Sequence, residues 1–80
     1  MASEIPATRF LDVRDLPAPE PLLQIMQYTA TLTPGERLIV HHNRVPCLLY
    51  PRLAERGLEV HTEQQAPDLV ILTIQRPLPG

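Results

Sequence analysis

Ten prolines in a chain of 80 residues, spread from Pro6 to Pro79, limit the length that any helix can reach. Each fixes its own φ and lacks a backbone N–H, so proline is tolerated in a first helical turn, in a loop or at a strand end but breaks a helix interior. Pro17, Pro19, Pro21, Pro34, Pro46, Pro67 and Pro77 therefore read as boundaries, and the apolar runs between them as short elements. Arg9 to Arg14 alternates Leu11 and Val13 with Asp12 and Arg14, the pattern of a half-buried strand. A helix is predicted from about Pro19 to Thr31, with Glu20 complementing its positive end and Leu22, Ile25, Met26 and Thr29 forming one buried stripe.

Thr33-Pro34-Gly35 is a turn signal, and Glu36 to His42 contains Leu38-Ile39-Val40, an apolar run suited to a strand covered on both faces. A second helix is predicted from Pro46 to Arg56, distorted in its first turn by Pro51 and stopped by Gly57. Leu58 to Glu63 alternates, Gln64 to Asp68 turns, and Leu69 to Arg76 is the most apolar strand. The order βαβαββ predicts an α+β fold, a two-layer sandwich in which a four-stranded mixed sheet carries both helices on one face. The last strand belongs inside the sheet. The expected core is Leu11, Val13, Leu22, Ile25, Met26, Leu38, Val40, Leu49, Leu53, Val60, Val70 and Leu72. Residues 1–8 read as a flexible arm, 9–76 as one domain and 77–80 as a tail.

So small a domain buries only about 60% of its unfolded surface, which leaves little apolar area to line a deep pocket. Any ligand site is expected on a rim or a face. All seven cations are Arg, which removes Schiff-base and phosphate-loop lysines, and the only Ser is Ser3, which removes the usual serine nucleophile. Gly35, Gly57 and Gly80 are too scattered for a phosphate cradle. A net charge of −2 lacks the basic footprint of a nucleic-acid binder. The longest uncharged stretch, Pro21 to Gly35, is too short and too polar to span a bilayer, and the opening residues lack the features of a secretory signal. With a single Cys unable to staple the fold, a reducing, cytoplasmic compartment is expected.

The segment Leu11-Asp12-Val13-Arg14-Asp15-Leu16-Pro17-Ala18-Pro19-Glu20-Pro21 resembles the opening motif of the TusA/SirA-like sulfur carriers, Leu-Asp-x-Arg-Gly-Leu-x-Cys-Pro-x-Pro. The resemblance extends in element order over about Arg9 to Arg76. The family's persulfide-bearing Cys falls on Ala18 and its Gly on Asp15. A closer resemblance is to an uncharacterised bacterial branch, a domain of unknown function that also lacks this Cys and has a histidine-containing segment after its second strand. Here that segment is His41-His42-Asn43-Arg44-Val45-Pro46, followed by Leu49-Tyr50 and by Leu53-Ala54-Glu55-Arg56-Gly57. The resemblance implies a TusA-like fold without sulfur carriage at Ala18.

Parallel strand-helix-strand units raise both helix starts at one edge of the sheet, where such folds usually bind ligands. A candidate ligand rim therefore comprises Asp15, Ala18, Glu20, His42 and Asn43, with Cys47 beside it. In the first turn of the second helix Cys47 would be favoured as a thiolate for sulfur or redox chemistry, whereas the packing tendency of free cysteine makes it a small buried hydrophobe. His41, His42 and Cys47 are donor types for a transition metal, but adjacent strand residues point to opposite faces, and no metal or other cofactor is expected. Asp12, Asp15 and Glu20 are placed for ordinary roles, Asp12 as a partner for Arg14 or Arg37, since nothing desolvates them for acid/base work. Strand parity sends Phe10, Ile39, His41 and Ile71 to the open sheet face, an apolar strip suited to a protein partner or a homodimer unless Ile5 and Pro6 of the arm cover it. The reading is a non-enzymatic module that binds a partner or small ligand; the alternative is a carrier or redox protein that uses Cys47.

Overall fold

The first strand, β1 (Thr8–Asp12), and the third element, β2 (Arg37–His42), are parallel neighbours, joined by the helix α1 (Glu20–Ala30). The computed structural model describes residues 8–79. A second helix, α2 (Leu49–Glu55), then leads to β3 (Glu59–Ala66) and β4 (Leu69–Gln75). The strand order is β1-β2-β4-β3, with β4 antiparallel to both of its neighbours. This is the expected βαβαββ fold. The expected arm lies outside the described residues apart from Thr8, so its Ile5 and Pro6 do too, and residues 77–79 carry no regular secondary structure.

The core lies between the sheet and the two helices. Strand parity supplies Leu38 and Val40 from β2 and Val70, Leu72 and Ile74 from β4, while Ile25, Leu49 and Leu53 come from the helices, and Val13 closes the end of β1. Leu11, Leu22, Met26 and Val60, expected in the core, are only partly buried against it. Pro21 joins Ile25 and Thr29 on the buried side of α1. Leu32 and Leu58, absent from the expected core, are buried. Leu58 gets there through the helix end. Gly57 adopts φ 73°, the Gly57 N–H donates to the Ala54 carbonyl, and the Leu58 N–H donates to the Leu53 carbonyl. These paired bonds are a Schellman cap, which folds the apolar residue after the glycine back onto the helix.

Three boundaries differ from expectation by more than one residue. Strand β1 ends at Asp12, because Arg14 turns back to bind the Asp12 carboxylate through its side chain, 2.9 Å from Nη2 to Oδ2. Helix α2 starts at Leu49 rather than at Pro46. A regular helix from Pro46 would demand an amide hydrogen from Pro51, whereas a start at Leu49 puts Pro51 in the first turn, where no intrahelical donor is required. The strand β3 runs on to Ala66 across what was expected to be a turn, with a register shift between Gln64 and Ala66.

The C-terminal end of α1 has no basic residue in its last turn. Arginines from elsewhere supply the donors. Arg9 donates to the Thr31 carbonyl, Arg56 to that of Met26, and Arg76 to those of Leu32 and Thr29. Cationic donors at this end oppose the negative pole of the helix dipole.

Candidate functional site

A cavity of about 390 Å³ opens between the start of α1 and the loop that precedes α2. Its walls are Ala18, Pro19, Pro21, Leu22 and Ile25 on one side and His42, Arg44, Val45, Pro46, Cys47, Leu48 and Leu49 on the other. Both sides follow from topology, since β1 and β2 are parallel and their carboxyl ends deliver the two junctions to one sheet edge. Pro19 and Pro21 at the start of α1 and Pro46 ahead of α2 then become apolar wall.

His42 is the last residue of β2 and only 5% exposed. Its Nδ1 accepts the Arg44 backbone N–H at 3.3 Å, so the neutral ring carries its proton on Nε2. Among the described residues Nε2 has no protein hydrogen-bond partner, and no buried side-chain nitrogen or oxygen is sealed away unsatisfied. The ring lines the cavity, and Nε2 is the one donor that it has left to offer. Burial pushes the His42 pKa down from its ordinary value. The neighbouring Asn43 side chain opposes that shift, without a well-formed hydrogen bond to the ring, and the Arg44 charge adds to it.

Of the expected rim residues, Ala18 and His42 line the cavity and are joined there by Cys47. Asp15, Glu20 and Asn43 are exposed and stand outside its lining. The Asn43 amide instead donates to the Arg14 carbonyl at 3.4 Å and bridges the two strand ends. Cys47 corrects both expectations made for it. It precedes α2 in a turn rather than opening the helix, and its thiol is exposed rather than buried. Arg44 has no side-chain acceptor among the described residues and was not singled out from sequence as a wall of the site. A single unpaired cation between two helix starts is the signal that marks it.

On the open face, strand pairing places Phe10 beside Ile39, Ile39 beside Thr73 and Thr73 beside His61, while Asp12, His41, Ile71 and Glu63 form the next row. Phe10 is 73% exposed, and Ile39, His41 and Ile71 are half-buried. His41 and His42 lie on opposite faces, and β4 separates His41 from His61. Among the described residues no three His, Cys, Asp or Glu side chains gather at metal-binding distance. The Arg14 side chain, hydrogen-bonded to Asp12 and assisted by its own backbone N–H, holds the Asp12 pKa down to about 2. Asp12 is thus a fixed anion and a poor general base at neutral pH.

The fold and cavity define a two-layer α+β domain with a ligand-sized opening at its sheet edge. The family described as Uncharacterized conserved protein (DUF2249) matches residues 10–76, and the chain belongs to this family. No curated protein and no solved structure matches the chain. Among the described residues no helix is long and apolar enough to cross a membrane.

Proposed function

We propose that the chain is a TusA-like module without enzymatic activity that works by binding in the cytoplasm, with the cavity at its sheet edge as the working site. The TusA-like part rests on the Leu11 to Pro21 motif and on the order of elements. The observation that carries the binding reading is His42, a buried ring with a free N–H on a cavity lined by both helix starts. Apolar pockets with a few convergent polar groups are the usual form of small-ligand sites. A protein partner or a second copy of the chain would meet the open face at Phe10 and Ile39, where neighbouring apolar side chains are accessible. An NMR titration of the full chain with a mixture of small organic fragments tests the cavity. Shifts at His42, Leu22 and Val45 are expected, and shifts that avoid these walls overturn it.

A second reading has its own observation. Cys47 is exposed and lines the same cavity as Ala18, the position of the persulfide cysteine in TusA-like carriers. On this reading the Cys47 thiolate attacks the outer sulfur of a donor persulfide, the donor S–S bond breaks, and the donor leaves as a thiolate. Cys47 then holds the transferred sulfur as a persulfide. Incubation with a cysteine desulfurase and labelled cysteine, followed by mass spectrometry, decides it. Label on Cys47 supports carriage, and an unmodified thiol removes it.

A further inference from the structure

The cavity walls carry charge of one sign. Among its twelve lining residues Arg44 is the only one with a formal charge, and none is Asp or Glu. This is unexpected in a chain with nine acids against seven arginines. Four of those arginines are committed internally: Arg14 to Asp12, Arg9 to Glu36 and Thr31, and Arg56 and Arg76 to carbonyls of α1. Arg44, like Arg37 and Arg52, has no such acceptor among the described residues, but it alone of the three lines the cavity, and its backbone N–H is the group that orients the His42 ring.

The remaining polar equipment is of one kind as well. The guanidinium offers only donors, and neutral His42 with Nδ1 already accepting offers one more at Nε2. The rest of the wall, apart from the Cys47 thiol, is hydrocarbon from alanine, proline, valine, isoleucine and leucine side chains. A ligand matched to this lining needs an anionic acceptor at one end and an apolar body at the other. Resting on the binding reading above, we infer that the cavity takes a small organic carboxylate, its oxygens between Arg44 and His42 and its hydrocarbon part against Leu22, Val45 and Pro46. Arg favours carboxylates because its planar fork matches their two oxygens. The lowered His42 pKa keeps the ring in its single-donor form at neutral pH, so charge selection falls to Arg44.

Three probes, titrated into the full chain at pH 7 and followed by NMR, separate the possibilities: benzoate, benzamide and inorganic phosphate. Benzoate should perturb the His42 ring and the Leu22 and Val45 methyls and bind about tenfold tighter than benzamide, the factor that one charge-assisted contact supplies. Arg44 is exposed, so Arg44→Gln should fold and bring benzoate down to the level of benzamide. Equal binding of benzoate and benzamide by the wild type overturns the carboxylate inference while leaving the cavity reading in place. Phosphate binding as tightly as benzoate overturns the requirement for an apolar body. Absence of shifts at Leu22 and Val45 with every probe removes the inference and the cavity reading together.

Discussion

The Arg76 Nε donates to the Leu32 carbonyl at 2.6 Å, while its Nη2 reaches the Thr29 carbonyl at 3.3 Å. One side chain from beyond the last strand thus closes the end of the first helix. The fork needs two donors in one plane, which a lysine lacks. Arg76→Met should lower stability by about 1.5–3 kcal/mol, the range for hydrogen bonds to a charged group, and Arg76→Lys should recover less than half of that loss. Urea unfolding followed by circular dichroism measures both. Full recovery by lysine would show that charge alone matters there.

Leu53 is fully buried under the sheet and shares the helix end with Leu58. Leu53→Ala should cost about 2–5 kcal/mol, a large part of the stability of so small a domain. A melting temperature close to that of the wild type would contradict the core assignment.

His42 and Asp12 set two separate arms of the pH profile. The folded pKa of His42 lies below its ordinary value of 6.5, so as pH falls below that value the unfolded chain takes up the proton first and stability drops. The contribution is fully present above pH 6.5 and fades toward the lower folded pKa. Asp12 titrates at about 2 rather than 3.8, so its contribution is present above pH 3.8 and is lost as pH falls toward 2. His42→Gln should flatten the upper arm in urea midpoints measured from pH 7.5 to 5. Asp12→Asn should change only the lower arm, and a change in the upper arm would assign that slope to another group.

The Cys47 thiol is exposed, so it should react with a chromogenic disulfide reagent in the native state, before any unfolding. Protection until denaturant is added would place the thiol in the core. Cys47→Ser should leave the unfolding midpoint within about 0.5 kcal/mol of the wild type, as surface substitutions do.

Phe10, 73% exposed and paired in register with Ile39, tests the open face without disturbing the core. Phe10→Asp should leave a folded domain while weakening self-association or partner capture in sedimentation experiments. Unchanged association would remove Phe10 from the interface, and unfolding would show that this face is needed for the fold.

Much of the architecture is legible in the residues because hydrophobic period and proline placement agree. Alternation in β2 and β4 assigns Leu38, Val40, Val70, Leu72 and Ile74 to one face, and the structure buries those five. The differences arise where a residue's role depends on a distant hydrogen bond or on counting inside a turn. Pro51 sets where α2 can begin, and counting back from it would have put Cys47 outside the helix. Gly57 announces the helix stop, and the cap it forms also requires an apolar Leu58 inside. For the site, sequence order reaches Ala18, His42 and Cys47, since topology alone brings them to one edge. The exposed thiol and the isolation of Arg44 depend on side-chain surroundings that no local pattern encodes.

The last strand sits in the middle of the sheet, bonded to β2 on one side and β3 on the other. During synthesis, then, β2 and β3 have no partner in common until the end of the domain has emerged, and β3 has no strand to join at all. The domain must complete its sheet late, through contacts between segments far apart in sequence, which is the slow kind of closure. A chain that stops short of β4 loses the centre of its sheet rather than an edge. Such a product would be left with two open strand borders, an invitation to pair with other chains, so premature termination here should yield aggregates rather than a trimmed but working domain.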